Sequence, residues 1–201
     1  SGRVHLVGHS YGGALALKLA ARMPERIASV AVYEPVLFRL LLDYQPRDRA
    51  TTEILIAAQS IRNWFDLGHG ARAAQRFVDF WSGDGAWERL PPVARQIIVA
   101  RIASVIGHFD ALFKDTLNRA ALSQLEMPIL CMTGAGTRRS TRRIAELLRA
   151  AMPRATHEFV AHAGHMGPIT HPHALTWRIG GFLDATAMWT EDGGAALLEA
   201  A

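Results

Sequence analysis

Cysteine is nearly absent from this chain. Cys131 stands alone among 201 residues, so no internal disulfide can form, and within the apolar run PILCM its thiol reads as a small buried hydrophobe. That usage fits a reducing, cytoplasmic setting. A large excess of one charge is also lacking. With 22 Lys+Arg against 18 Asp+Glu the formal net charge is +4, an arginine surplus without a strong field, and no nucleic-acid partner is implied. The apolar stretches are broken by charge before the roughly 20 residues that a bilayer span takes. The first residues show no basic-then-apolar leader pattern, so no membrane partner is expected. Internal repeats and low-complexity linkers are missing as well. One gap is local: between Glu126 and Glu146 there is neither Asp nor Glu.

What is present is a chain half hydrophobic and long enough for one sizeable core. Arg3 to Val7 is apolar and β-favouring, the residues after Gly13 are good helix formers, and Pro24 closes the segment, which reads as strand, turn, helix. RIASVAVYEP gives a second strand, Ile27 to Tyr33, stopped by a proline. From about Leu37 to Leu122 every stretch is helix-periodic. Strand grammar resumes at MPILCMTG, a helix follows in STRRIAELLRAAMP, and ATHEFVAHAGH supplies a last strand running into a loop. A helix from about His173 to Leu183 precedes a tail without clear period. The predicted fold class is α/β, a parallel sheet flanked by helices with an inserted helical cap. The expected divisions are a core at 1–36, a cap at 37–122, a second core segment at 123–184 and a tail at 185–201.

Gly8-His9-Ser10-Tyr11-Gly12 is a G-x-S-x-G pentapeptide set between a strand and a helix, the context in which that motif displays a nucleophilic serine. The turn is expected to strain the serine backbone and to bring strand and helix so close that side chains at positions 8 and 12 would collide, with Gly13 extending the approach. The helix start would offer N–H groups to an anionic oxygen. A phosphate loop would need G-x-x-x-x-G-K-[ST] or G-x-G-x-x-G, and neither occurs. A serine needs a base, and His165 is chosen from nine histidines because it follows the last strand in a glycine-relieved loop at the carboxyl edge of the sheet. His9 and Met166, sequence neighbours of Ser10 and His165, are the expected substrate contacts. The pairs His162/His165 and His171/His173 lack the Cys, Asp or Glu that would complete a metal set, so neither metal nor cofactor is expected.

Serine elbow, helical insertion and late loop histidine, in this order, resemble the α/β-hydrolase superfamily from its fifth strand onward, over residues 3 to about 184. The resemblance implies Ser10 as nucleophile, His165 as base and the Tyr11 backbone N–H as an oxyanion donor. It also implies a chain whose N-terminal strands are missing here, since four strands precede the elbow in the family. The expectation is therefore a carboxyl-terminal portion of a longer protein, and loss of one oxyanion donor would cost ~2.7–4 kcal/mol in the barrier. The family usually carries its acid after the seventh strand, where this sequence has TGAGTRRSTRR and no carboxylate. Glu34, at the end of the preceding strand, is the preferred acid, as in members similar to haloalkane dehalogenases; Asp110 is the second candidate. The expected reaction is hydrolysis of a small or medium apolar ester. A carbon–carbon hydrolase of ring-cleavage diketones, marked by arginines poised for a carboxylate, and a non-catalytic scaffold remain as alternatives. The partner expected is a small-molecule substrate, with association into homo-oligomers left open. Arg138, Arg139, Arg142 and Arg143 read as a mostly solvated helix face, unfavourable to the positive end of the helix dipole.

Overall fold

The computed structural model describes residues 2–191, with side chains through 187. Four parallel strands lie in chain order: β1 (Val4–His9), β2 (Ile27–Tyr33), β3 (Ile129–Gly134) and β4 (Thr156–Val160). Helix α1 (Tyr11–Arg22) links β1 to β2 and α8 (Arg139–Ala151) links β3 to β4. Between β2 and β3 run α2 (Phe38–Tyr44), α3 (Arg49–Asp66), α4 (Gly70–Ser82), α5 (Ala86–Arg89), α6 (Pro92–Phe113) and α7 (Arg119–Ser123). Short α9 (Gly167–Thr170) and long α10 (Pro172–Glu191) follow β4.

The period-2 rule sorts the strand residues between two cores. Val30 and Val32 of β2, with Ile129 and Cys131 of β3, join α1, α8 and the inserted helices. Ala31 and Tyr33, with Leu130 and Met132, face Leu175 of α10. Both faces of β2 and β3 are thus covered, which is why their sequences are continuous apolar runs rather than alternating ones. Leu17, Leu40, Leu41, Ile54 and Ile61 are fully buried, each side chain contributing about 1.5–3 kcal/mol. β1 forms one edge of the described sheet, with Val4 and Val7 about half exposed.

Local signals set the helix ends. Asp48 caps α3 by accepting the Ala50 N–H at 2.7 Å, Asn118 caps α7 through the Ala121 N–H at 3.0 Å, and α4 stops at Gly83 with φ 93°.

Two sequence expectations need correction. Helix α10 does not end near Leu183: it continues to Glu191, because Asp184–Thr190 contains no proline or glycine to stop it. The remainder of the expected tail, 192–201, lies outside the described residues. Helix α6, interrupted by Arg95, Arg101 and Asp110, is nonetheless long and apolar enough by length and composition to cross a membrane; its Ile102, Ile106, Phe109 and Leu112 join the core.

Because all four strands are parallel, the loops after them open at one edge. The register ends on His9 opposite Tyr33, Tyr33 opposite Met132, and Gly134 opposite Val160. Ser10, Glu34, the 134–137 loop and His165 therefore gather along a single rim.

Candidate active site

Ser10 sits between β1 and α1 at φ 55°, ψ −119°, a left-handed region that a residue bearing a Cβ rarely adopts. The expected crowding is present, but not where the motif suggests. A Cβ on Gly8 would lie 2.6 Å from the Gly12 carbonyl oxygen, and one on Gly13 would lie 3.2 Å from the Gly8 oxygen and from Pro35. A Cβ on Gly12 would meet nothing within 4 Å. Gly12 is the neighbour that is hit, not the residue that must be small; its own Cβ direction faces the exposed side of α1. Gly8→Ala is accordingly expected to destabilise the fold by about 1–3 kcal/mol through overpacking. Gly12→Ala should stabilise it by up to about 1 kcal/mol through helix propensity. Thermal unfolding of the two variants reads opposite signs.

The three sequence candidates converge. His165 Nε2 lies 3.0 Å from Ser10 Oγ, and His165 Nδ1 lies 2.8 Å from Glu34 Oε2. Glu34 and His165 are 1% and 4% exposed, so their pairing is sheltered from water, which strengthens it. The carboxylate on Nδ1 places the ring proton there and leaves the Nε2 lone pair facing the serine. Glu34 itself is held in a left-handed conformation, φ 45°. It accepts the Gly134 N–H on Oε1 at 2.8 Å and the Thr137 hydroxyl on Oε2 at 2.8 Å. The loop after β3, which lacks any carboxylate, thus supplies donors to the carboxylate that comes from β2. Asp110, the second acid candidate, pairs instead with Arg62 at 2.5 Å on a half-exposed surface.

The histidine loop is fixed from below. The Tyr33 hydroxyl donates to the Gly164 carbonyl at 2.6 Å; burial and then the Glu34 charge push its pKa up. A Cβ on Gly167 would lie 2.4 Å from that same hydroxyl oxygen, which gives one reason this loop carries glycine. His9 pairs through Nε2 with the His165 carbonyl at 2.8 Å. Burial, followed by the nearby His165, lowers its pKa, so at neutral pH it is an uncharged neighbour that donates to the carbonyl. Above this rim, the Trp81 ring of α4 lies 3.9 Å from the His165 ring, tilted by 31°. It shields one imidazole face and offers a π cloud to any imidazolium formed there.

A cavity of about 670 Å³ opens beside Ser10. His9, Tyr11 and Met166 line it, as do Phe38, Phe77, Trp81 and Phe109 from the inserted helices, and His108, whose ring stacks on Tyr11 at 4.2 Å. Trp64, Phe65 and Phe80, also aromatic residues of the inserted helices, are not among the residues that line it. Among the described residues no three of His, Cys, Asp and Glu gather as a metal site. Thr137, Tyr33 and the contact of Trp81 with His165 escape sequence reasoning. Trp81 looks like an ordinary apolar position of a helix, and nothing in TGAGT marks its threonine as the partner of a residue 103 positions away.

This constellation agrees with wider similarity. Residues 1–172 match the family described as alpha/beta hydrolase fold. The chain belongs to that family. Among other α/β hydrolases of known structure, a carboxylesterase from Bacillus subtilis superposes with a TM-score of 0.63 at 22% identity, covering 91% of this chain and 60% of the esterase. Two curated proteins also show similarity. Polyketide synthase ThaQ of Burkholderia thailandensis is 26% identical over 201 residues, 97% of this chain and 9% of the synthase. The pimeloyl-[acyl-carrier protein] methyl ester esterase of Serratia marcescens is 39% identical over 67 residues, 33% of this chain and 26% of the esterase. The chain thus spans under two thirds of the length of each of these three relatives.

Of the arginines at the start of α8, Arg139 and Arg142 are exposed and Arg138 and Arg143 are part-buried. Arg143 pairs with Asp48 and with Glu146. Arg138 reaches back to the carbonyls of Phe80 and Asp79, at 2.5 and 3.1 Å. Arg138, Arg139 and Arg142 line a second cavity, of about 730 Å³.

Proposed function

We propose that this α/β hydrolase is a serine esterase that cleaves small or medium apolar carboxylic esters through an acyl-serine intermediate. The observation that carries the reading is the unbroken hydrogen-bonded relay from Glu34 through His165 to Ser10. In the first half-reaction the Ser10 oxygen attacks the ester carbon while His165 Nε2 takes the serine proton. The carbonyl π electrons move onto oxygen, toward the N–H groups at the start of α1, with Tyr11 the first donor. Collapse breaks the bond to the alcohol oxygen, which leaves with the proton from His165. Water then repeats the sequence on the acyl-serine, giving the carboxylic acid and free Ser10. Glu34 stays ionised and stabilises the imidazolium in both halves.

The substrate class follows from the wall chemistry. The cavity holding Ser10 is mainly apolar and aromatic, and among the described residues no arginine lines it; that favours an apolar acyl group beside Ser10. The likeness to a methyl ester esterase points to an ester. His9 and Met166 are assigned as substrate contacts on their place in that wall.

A fluorophosphonate probe tests the reading directly. Ser10 should be labelled, with the mass increment on the peptide containing residue 10, and Ser10→Ala should take no label. His165→Ala should label at least a hundredfold more slowly, since general-base help is worth about 10²–10⁴. An unlabelled Ser10 in folded protein would leave only the scaffold alternative.

A further inference from the structure

The N-terminal end of α8 is electrostatically odd. A helix start favours anions, yet α8 carries Arg138 at its cap position, no acidic residue in its first turn and no side-chain cap of its own. Natural helices rarely concentrate cations there without a compensating anion. Glu53, from α3, caps the helix start through the Ser140 N–H at 2.8 Å, and Asp48 and Glu146 compensate Arg143. The other three arginines line the 730 Å³ cavity.

Their states differ in a useful way. Arg138 is fixed by two carbonyls and stacked over Phe80 at 4.9 Å, so its charge is placed in advance of any ligand. Arg142 donates once, to the Ala135 carbonyl, and has no ion-pair partner among the described residues. Arg139 is exposed, and its side chain makes no hydrogen bond or ion pair among the described residues. Two carboxylates share the lining, Glu53 and Asp84, but Glu53 is turned onto the Ser140 N–H at 2.8 Å. Cations therefore outnumber anions, and at least one is uncommitted.

The position of this cavity relative to the chemistry gives it a direction. It shares His165 and Trp81 with the apolar cavity but is not lined by Ser10 or Tyr11. During acyl transfer the acyl carbon sits at Ser10 and the departing oxygen sits at His165 Nε2, which protonates it. The two cavities meet at Trp81, Ser82, Gly164 and His165, so a chain leading away from that oxygen past His165 would enter the arginine-lined cavity, with the acyl chain left to the apolar one.

We propose that the cavity lined by Arg138, Arg139 and Arg142 is a subsite for an oxyanion, phosphate or carboxylate, carried on the alcohol portion of the ester. Guanidinium forks suit both groups. The proposal rests on the esterase reading and narrows it to substrates with an apolar acyl group and an anionic leaving part.

Three hexanoate esters test it at low salt, where such contacts are least screened: phenyl hexanoate, 4-hexanoyloxybenzoate and 4-hexanoyloxyphenyl phosphate. For each protein the kcat/KM of an anionic ester is divided by that of the neutral one, so that intrinsic leaving-group reactivity cancels when proteins are compared. Arg139→Gln, whose side chain holds nothing in place, and Arg139→Gln/Arg142→Gln should lower this ratio about tenfold. The ester whose ratio falls identifies the anion as phosphate or carboxylate. Ratios equal to wild type for both anions, in both variants, would overturn the subsite. Calorimetric titration with phenyl phosphate and with benzoate separates this from the parent reading. Binding to wild type that is lost in the variants, with no turnover of any ester, would sink the esterase and keep the anion site; absence of binding to wild type would sink the site.

Discussion

Replacing Glu34 by glutamine is expected to lower kcat by about 10⁴ while the fold survives. The reason lies in which atoms the carboxylate serves. Oε1 accepts the Gly134 N–H, and Oε2 accepts both the Thr137 hydroxyl and the His165 Nδ1 proton. A glutamine keeps its carbonyl oxygen toward Gly134, whose N–H has no freedom to turn, and presents its NH2 at the Oε2 position. The Thr137 hydroxyl can rotate and accept. His165 cannot satisfy the amide without moving its proton from Nδ1 to Nε2, the atom that must be free to take the proton of Ser10. The variant is then a folded protein with the wrong tautomer. Steady-state turnover of p-nitrophenyl hexanoate, with circular dichroism as the check on folding, measures the effect. A rate within tenfold of wild type would remove Glu34 from the relay. Asp110, already paired with Arg62, would not replace it without rearrangement.

Much of this site was legible because its decisive elements are short-range. The elbow is a strand, a turn and a helix within 19 residues, and each part has its own signature: β-favouring Val4–Val7, the glycine-flanked Ser10, and the alanine- and leucine-rich Tyr11–Arg22. Topology is what places Glu34 and His165 together, since parallel strands deliver the residue after each strand to one edge. The absence of acid from 127–145 made Glu34 the nearest alternative on that edge. What escaped was made by contacts between distant residues. Arg138 meets the Phe80 carbonyl across 58 positions, Thr137 meets Glu34 across 103, and Trp81 meets His165 across 84. Where the inserted helices settle on the sheet decides all three, and the apolar period of α4 gives no hint of which of its aromatic rings reaches the imidazole. Gly12 illustrates a subtler limit. Its place in the pentapeptide suggested a steric role, but the motif does not reveal which of two adjacent backbones would supply the offending Cβ.

Ser10→Gly is the substitution for which activity and stability should move furthest apart. On the proposed mechanism, removing Ser10 leaves only binding and oxyanion stabilisation, so turnover should fall by about 10⁶. Stability should rise. The wild-type serine is held at φ 55°, ψ −119°, a conformation costing of order 1–3 kcal/mol for a residue with a Cβ and little for glycine. Against that gain stand the greater unfolded-state freedom of glycine, about 0.5–1 kcal/mol, and the loss of the hydrogen bond to His165 Nε2. That nitrogen faces an open cavity and can be met by water, so its loss costs little. The net expectation is a gain of about 1 kcal/mol, visible as a higher thermal midpoint. Ser10→Ala separates the two contributions: it should lose the same activity but, retaining a Cβ, keep the strain and show no such gain. Equal midpoints for the glycine and alanine variants would mean that the elbow backbone is relaxed and stores no strain to display its nucleophile.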